Sequence, residues 1–172
     1  MLKIYSSGKI EIRQFNSNDG EQFCRFFDDE EVTRYLPKLT KQEYLRLFTD
    51  SLQDYQNGFF GRWGIFDVKN DAFIGNCLLR LLEEDPEKLE IGYSIKTAYW
   101  GKGIGSEIAL ALVNYAFKNT AYITVSALTE IDNLGSQKVL LKTGFERQDN
   151  ILRRDHELAF FTISKPAFGI VL

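Results

Sequence analysis

Residues 89–119 read LEIGYSIKTAYWGKGIGSEIALALVNYAFKN. The first seven contain the apolar, β-branched and aromatic side chains that are typical of a strand. Glycines follow at Gly101, Gly103 and Gly105, and apolar residues recur at helical spacing from Ile104 onward. A strand, a glycine loop and a helix in this order gather backbone amides and the positive end of a helix dipole around one point. The pattern therefore predicts an anion site, suited to a phosphate group, at the glycine loop.

Two better-known phosphate loops are excluded by spacing alone. The dinucleotide fingerprint GxGxxG requires a third glycine at position 106, where this chain has Ser106. A P-loop requires GxxxxGK followed by Ser or Thr, and the sequence contains no such run. The glycine loop is therefore of another kind.

Hydrophobic periodicity predicts the remaining elements. Thr40 and Glu43 form a capping box, after which apolar residues fall on one helical face until Asn57-Gly58. The acidic run at 83–88 is predicted to be a solvated loop. The other predictions are a strand at 9–15, a helix at 20–28, a turn or bend at 30–36, an antiparallel pair at 63–68 and 73–79, a strand at 122–128, a helix at 133–143 and a closing hairpin at 145–147 and 157–163.

Size, composition and charge exclude several classes of protein. A length of 172 residues with 44% hydrophobic residues predicts one globular domain. The net charge of -3 comes from interspersed charges of both signs, which argues against a nucleic-acid partner. No stretch approaches the roughly 18 apolar residues that span a bilayer, and residues 1–8 lack a signal-peptide core. We therefore expect a cytoplasmic protein with no membrane partner.

The cysteine and histidine content argues against disulfide and metal sites. Cys24 and Cys77 form no CxxC pair, and His156 is the only histidine in the sequence. Neither a structural disulfide nor a metal site is therefore expected. The two thiols are predicted to be buried and reduced. His156 lies among charged residues of the closing hairpin and is predicted to be a surface residue.

The run at 100–105, WGKGIG, resembles the pyrophosphate loop of the GNAT acetyltransferases, Q/R-x-x-G-x-G/A. The form with Trp at the first position is familiar from the ribosomal-protein N-terminal acetyltransferases of the RimJ/RimL type. Three further segments match that branch in the same order, and the likeness extends from about residue 9 to residue 164. They are Glu90-Ile91-Gly92-Tyr93 for its E-I/L-G-Y strand, Asn133-x-x-Ser136 with Gly144-Phe145 for its N-x-x-S and GF tail, and residues 29–36, DEEVTRYL, for its D-x-E-V-x-x-Y-L segment.

The resemblance implies an α+β fold with three layers, α/β/α. Its sheet is expected to be mixed but mostly antiparallel, with about 6–7 strands and with helices on both faces. We expect the sheet to splay between the strand at Glu90 and the strand at Tyr122, with acetyl-CoA bound in the splay. The whole chain, residues 1–172, would form one such domain, as a monomer or a homodimer.

The activity implied by the resemblance is transfer of an acetyl group from acetyl-CoA to a primary amine by direct attack. The RimJ/RimL likeness favours a protein or peptide N-terminal α-amine as the acceptor. The alternative acceptor is a small-molecule amine, such as an antibiotic, a polyamine or an amino acid. Two other hypotheses stay open, namely a catalytically inactive acyl-CoA-binding sensor or partner module, and a protein that binds a nucleotide phosphate through the same loop.

The resemblance also assigns the contacts with the cofactor. Backbone amides of the glycine loop would bind the pyrophosphate of acetyl-CoA. The end of the strand at Ile95 would pair with the pantetheine and donate an amide to the thioester oxygen. Asn133 would contact the pantetheine arm, or would only cap its helix. The loop residues concerned are Gly101, Lys102, Gly103, Ile104, Gly105 and Ser106.

Two catalytic roles are implied in the same way. Glu90 lies where several family members carry the general base, and the alternative is a carboxylate exposed at a strand edge or paired with a lysine. Many members protonate the leaving thiolate with a tyrosine at the position where this chain has Leu140. In the RimL-like branch Ser136 would often take that role, although a local hydrogen bond in the first helical turn is equally expected. The missing tyrosine is the support for the sensor hypothesis.

Overall fold

The computed structural model describes residues 2–56 and 58–166, which form strands and helices. The strands number nine within these ranges. Short 3-10 turns lie at Ser17–Asp19 and Thr97–Tyr99. In chain order the elements are β1 (Lys3–Ser6), β2 (Ile10–Arg13), α1 (Gly20–Phe26), α2 (Glu30–Thr33), α3 (Lys41–Asp54), β3 (Gly61–Asp67), β4 (Phe73–Leu82), β5 (Asp85–Ile95), α4 (Ile104–Asn119), β6 (Thr124–Thr129), α5 (Leu134–Lys142), β7 (Glu146–Arg147), β8 (Ile151–Arg153) and β9 (His156–Ser164).

The chain divides into two compact units. The first consists of Met1–Leu78 and Tyr93–Ile104, and the second of Leu79–Gly92 and Gly105–Leu172. Strands β4 and β5, which are hydrogen-bonded neighbours, each contribute residues to both units. That the whole chain forms a single domain stays a prediction.

The first unit contains strands β1 to β3, the first part of β4, the end of β5 and an aromatic core. β2 pairs antiparallel with both β1 and β3. Because its apolar residues point to one side of the pleat, β2 buries Ile10 and Ile12 completely. The core is dominated by aromatic rings in edge-to-face and tilted contact. Its buried members are Phe15, Phe23, Phe26, Val32, Tyr44, Phe48, Phe66 and Phe73.

Helix α3 begins at the predicted capping box. The Thr40 amide donates to the Glu43 carboxylate over 2.7 Å, and the Glu43 amide donates to the Thr40 hydroxyl over 3.3 Å. Both bonds satisfy amides that the helix itself leaves without partners, so the predicted start is confirmed. The helix ends at Asp54, and Asn57, where its end was predicted, lies outside the described residues.

The second unit contains the rest of the sheet. β6 pairs antiparallel with β9 over six residue pairs, and β7 and β8 both pair antiparallel with β9. β5 pairs parallel with β6 over three residue pairs, from Leu89↔Val125 to Ile91↔Ala127. The α+β fold with a mixed, mostly antiparallel sheet is therefore confirmed. The splay expected between β5 and β6 stays a prediction.

Two details of the predicted fold are wrong. Within the described residues the sheet has nine strands instead of 6–7. The prediction missed β1 and β8, because both are short and mixed in polarity and show no recognisable periodicity. The acidic run is not a loop along its whole length, since only Glu83 and Glu84 separate β4 from β5. A salt bridge of 2.7 Å between Lys88 and Asp85 offsets the negative charge within the strand.

The two cysteines are free thiols in different environments. Cys77 is buried, as predicted, and its burial raises the pKa of the thiol. Cys24 is only half-buried, which corrects the prediction for that residue. As for membrane segments, none of the helices within residues 2–56 and 58–166 combines the length and apolar character needed to cross a bilayer.

Candidate active site

The glycine loop has the backbone conformation that an anion site requires. Gly101 has φ of +71° and Gly103 has φ of +80°, in the left-handed region that side chains other than glycine rarely adopt. A Cβ atom at either position would have no other atom within 4 Å, so the space over the loop is open. α4 starts inside the loop, at Ile104, and the amides of its first turn have no partner within the helix. A phosphate group can therefore approach the backbone closely here.

Two side-chain hydrogen bonds hold the segment that leads into the loop. The Trp100 indole donates to the carbonyl oxygen of Ile95 over 2.9 Å. The Tyr99 hydroxyl donates to the Asp67 carboxylate over 3.0 Å. The backbone amide of Lys69, and then this hydroxyl, lower the pKa of Asp67, so the acceptor is an anion at neutral pH. The loop is thus fixed from both the end of β5 and the end of β3.

The other loop residues differ in exposure, and the last three of them belong to the first turn of α4. Lys102 is exposed, and its ammonium lies 5.4 Å from the centre of the Tyr99 ring. Ile104 is buried, so it anchors the first turn of α4. Gly105 and Ser106 follow it in that turn and are half-buried. Backbone groups, more than side chains, therefore face the open space over the loop.

Glu90 is neither exposed nor paired with a lysine. Its side chain is 8% exposed, and its two oxygens accept four hydrogen bonds from two guanidinium groups. Arg80 donates through Nη2 over 2.9 Å and Nε over 3.2 Å, and Arg153 donates through Nη2 over 2.8 Å and Nη1 over 3.1 Å. Because a carboxylate offers about four lone-pair positions, these bonds occupy all of them.

Arg153 is held at the same time by a second carboxylate. Glu84 accepts from Arg153 Nε over 2.6 Å and from Nη2 over 2.7 Å. Hydrogen bonds to Glu84, and then to Glu90, raise the pKa of the guanidinium against the opposite effect of burial. The same contact with Arg153 lowers the pKa of Glu84. Glu84, Arg153 and Glu90 thus form a chain of fixed charges within the second unit.

The start of α5 brings Asn133 and Ser136 together. The Asn133 side-chain oxygen accepts from the backbone amide of Ser136 over 3.1 Å, so Asn133 caps the helix. The Ser136 hydroxyl is half-buried and has no hydrogen-bond partner among the residues that the structure describes. Leu140, at the position of the missing tyrosine, is 1% exposed and belongs to the core.

His156 is a surface residue, as predicted. Its side chain is largely exposed, and Nε2 lies 2.8 Å from the carboxylate of Glu130. Both residues belong to the second unit. This pair links β9 to the segment that follows β6, and it requires no catalytic role for the histidine.

Sequence reasoning missed Arg80 and Arg153 as partners of Glu90. Arg80 lies 10 residues before Glu90 and Arg153 lies 63 residues after it. Arg80 lies on β4 and Glu90 on β5, which are hydrogen-bonded neighbours, and the contact between them depends on the register of that strand pair. The contact with Arg153 depends on the tertiary fold, and no local pattern indicates it.

The model of the acetyltransferase (GNAT) domain matches residues 9–146. The chain belongs to the GNAT acetyltransferase family. This acetyltransferase is 30% identical over 158 residues to the uncharacterized N-acetyltransferase YoaA of Bacillus subtilis (strain 168), with 90% of this chain and 88% of YoaA covered.

Solved structures show the same fold at low sequence identity. RimL, a ribosomal L7/L12 alpha-N-protein acetyltransferase in complex with coenzyme A, has a TM-score of 0.80 and 16% identity, with 96% of this chain and 99% of RimL covered. The aminoglycoside acetyltransferase AAC(6')-Ib in complex with coenzyme A has a TM-score of 0.80 and 17% identity, with 94% and 98% covered.

Acetyl-CoA is the cosubstrate of the GNAT acetyltransferase domain. The glycine loop fits this molecule, because a pyrophosphate needs backbone amides that no side chain shields. Within residues 2–56 and 58–166, His, Cys, Asp and Glu side chains form no group of three that could hold a metal ion.

Replacing Gly103 by alanine is expected to weaken acetyl-CoA binding about tenfold. The left-handed conformation costs a side chain about 1–2 kcal/mol, and the new methyl group enters the open space over the loop. Calorimetric titration with acetyl-CoA measures the effect. Lys102→Ala is the matched control, because it removes a side chain from the same loop without changing the backbone, and we expect its dissociation constant to stay within about threefold of wild type. A larger effect of Lys102→Ala than of Gly103→Ala would contradict binding by the backbone.

Proposed function

We propose that the enzyme acetylates a primary amine, either a protein or peptide N-terminal α-amine or a small-molecule amine. The observation that carries the proposal is the open glycine loop at the start of α4 in a chain of the GNAT family. RimL and AAC(6')-Ib, which are named for a protein and an aminoglycoside acceptor, resemble this chain to the same extent. The likeness to RimJ/RimL motifs in the loop and at Asn133 favours the peptide acceptor. A cytoplasmic location and a monomeric or homodimeric state stay predictions.

The proposed contacts with acetyl-CoA come from the glycine loop, from the strand before it and from Asn133. Backbone amides of residues 101–106 hold the pyrophosphate. The end of β5 at Ile95 pairs with the pantetheine and presents an amide to the thioester oxygen, which stabilises the developing oxyanion. The Asn133 side chain keeps its capping bond through its oxygen, which leaves its amide group to contact the pantetheine.

Glu90 is the proposed general base. An α-amine has a pKa of about 7.7–8.0, so only a modest fraction of the acceptor is neutral at pH 7 and a base is useful. With both guanidinium groups in place, the Glu90 carboxylate has no lone pair left for an amine or a water molecule. The role of base therefore requires that one guanidinium leaves Glu90.

Ser136 is the proposed donor of a proton to the departing thiolate. Its hydroxyl makes no local hydrogen bond within the described residues, which supports this role over a purely structural one. We expect Ser136→Ala to lower kcat about tenfold or more while the acetyl-CoA dissociation constant stays unchanged. Ser6→Ala, on β1 of the first unit, is the matched control. Equal kcat for Ser136→Ala and wild type would remove the serine from the mechanism.

An inactive acyl-CoA sensor is the second candidate, because Leu140 is buried where many relatives carry the tyrosine acid. A thiol-release assay separates the two candidates. Acetyl-CoA is offered with N-terminal peptides, polyamines, aminoglycosides and free amino acids. Release with one acceptor class supports the enzyme and identifies the substrate type, whereas acetyl-CoA binding without release from any acceptor supports the sensor.

A further inference from the structure

The two arginines on Glu90 are not equivalent. Arg153 is 14% exposed and is fixed between Glu84 and Glu90 by four hydrogen bonds. Arg80 is 48% exposed, and among the residues described its hydrogen bonds and salt bridge all go to Glu90. Removal of Arg153 would leave two carboxylates together, whereas Arg80 can turn into solvent and leave the remaining network intact. Arg80 is therefore the exchangeable partner of Glu90.

The charges show what must replace Arg80 when it leaves. The network around Arg153 contains three carboxylates, Glu83, Glu84 and Glu90, and two guanidinium groups, Arg153 and Arg154. Its net charge is therefore -1, and Arg80 neutralises it. Glu90 is 8% exposed, so water does not solvate its charge fully, and an unpaired buried charge is costly. The position of the Arg80 guanidinium is thus a cation site. The side chain that occupies it is bonded to Glu90 alone among the described residues.

We propose that the acceptor amine enters as an ammonium ion and displaces the Arg80 guanidinium from Glu90. This inference rests on the proposed function, since it names the charge state in which the acceptor binds. A primary ammonium has three N–H donors and can replace both hydrogen bonds that Arg80 gives up. The exchange forms no covalent bond and conserves the charge of the network.

The exchange also supplies the base that the reaction needs. Once Arg80 has left, Glu90 has lone pairs that face the ammonium nitrogen. One N–H bond breaks, its proton passes to a Glu90 oxygen, and the electron pair stays on nitrogen as the lone pair that attacks the thioester. Arg80 is thus a specificity-determining residue, because it competes with the acceptor for Glu90. Solutes without a positive charge cannot take the place of its guanidinium and are excluded.

Removing the competitor is expected to strengthen acceptor binding. Arg80→Ala should lower the acceptor KM about tenfold and leave the acetyl-CoA dissociation constant unchanged. Arg80→Lys is the matched comparison, because it keeps a cation at the site but loses the two-pronged contact with Glu90, so its acceptor KM should lie between those of wild type and Arg80→Ala. If Arg80→Ala does not fold, Arg80→Gln takes its place, because glutamine keeps a polar side chain without the charge. It should also lower the acceptor KM.

A binding measurement tests the cation site without turnover. Thermal unfolding is recorded in methylammonium chloride and in tetramethylammonium chloride at equal ionic strength, because tetramethylammonium has no N–H donor. We expect methylammonium to raise the Tm of Arg80→Ala by several degrees more than tetramethylammonium does, and we expect no such difference for Arg80→Ala/Glu90→Gln.

The outcomes separate this inference from the proposed function. If Arg80→Ala has equal Tm values in the two salts and an unchanged or higher acceptor KM, the displacement of Arg80 by the ammonium is overturned. The proposed acetyl transfer is not affected by that result. Stabilisation by methylammonium that depends on Glu90, without acetylation of any amine by any variant, supports the cation site and overturns the proposed function.

Discussion

Replacing Gly75 by alanine is expected to lower the free energy of unfolding by about 3 kcal/mol. Gly75 lies in β4, and a Cβ atom there would overlap the carbonyl oxygen of Ser94 and lie 2.9 Å from the Cα atom of Ile95. Both obstacles are backbone atoms of β5, which cannot move aside as a side chain can. Urea denaturation, analysed by linear extrapolation, measures the loss.

The control for Gly75 is Gly8→Ala. A Cβ atom at Gly8 would meet no atom within 4 Å, so we expect a change of no more than about 0.5 kcal/mol. The clash at Gly75 falls next to Ile95, at the end of the strand that is proposed to pair with pantetheine. We therefore also expect weaker acetyl-CoA binding in Gly75→Ala. Equal stability of the two variants would show that β4 and β5 do not approach as closely as the structure indicates.

Replacing Glu90 by glutamine is expected to lower kcat/KM by about a hundredfold or more. The amide cannot accept the proton that the acceptor loses, and it no longer balances the charges of Arg80 and Arg153. The acetyl-CoA dissociation constant should stay within about threefold of wild type, because the proposed cofactor contacts are with the loop backbone. Steady-state thiol release with the best acceptor, measured on protein that circular dichroism shows to be folded, gives the result.

Glu84→Gln is the matched control for Glu90→Gln. It removes a carboxylate from the same arginine, Arg153, while it leaves Glu90 in place. A loss of turnover specific to Glu90→Gln supports its role as base. If Glu84→Gln lowers kcat/KM as much as Glu90→Gln, the two carboxylates only position Arg153. If Glu90→Gln keeps full activity, Glu90 is not the base.

Local sequence patterns predicted those parts of the fold that local interactions determine. The capping box of Thr40 and Glu43 is one such part, because four consecutive residues make both of its hydrogen bonds. The glycine loop is another, since left-handed φ at Gly101 and Gly103 is a property of glycine itself. β1 was missed because it lies next to β2 only through long-range pairing, and its own sequence alternates weakly.

The site was predictable to a smaller extent. The sequence indicated Glu90, Asn133 and Ser136 through the resemblance, and the structure shows the cap of Asn133 on α5. It did not indicate that two arginines cover Glu90, because the contact with Arg80 depends on the register of β4 and β5 and the contact with Arg153 on the tertiary fold. The protonation and accessibility of a carboxylate depend on such distant partners. Motif spacing therefore located the candidate base but gave no information on what controls it.

Calorimetric titration of the wild-type protein with acetyl-CoA, ATP and NAD tests most directly whether the glycine loop is an acetyl-CoA site. We expect saturable binding of acetyl-CoA that Gly103→Ala weakens about tenfold, and much weaker binding of ATP and NAD. Binding of ATP or NAD at least as tight as that of acetyl-CoA, or acetyl-CoA binding that Gly103→Ala leaves unchanged, would contradict this assignment of the loop.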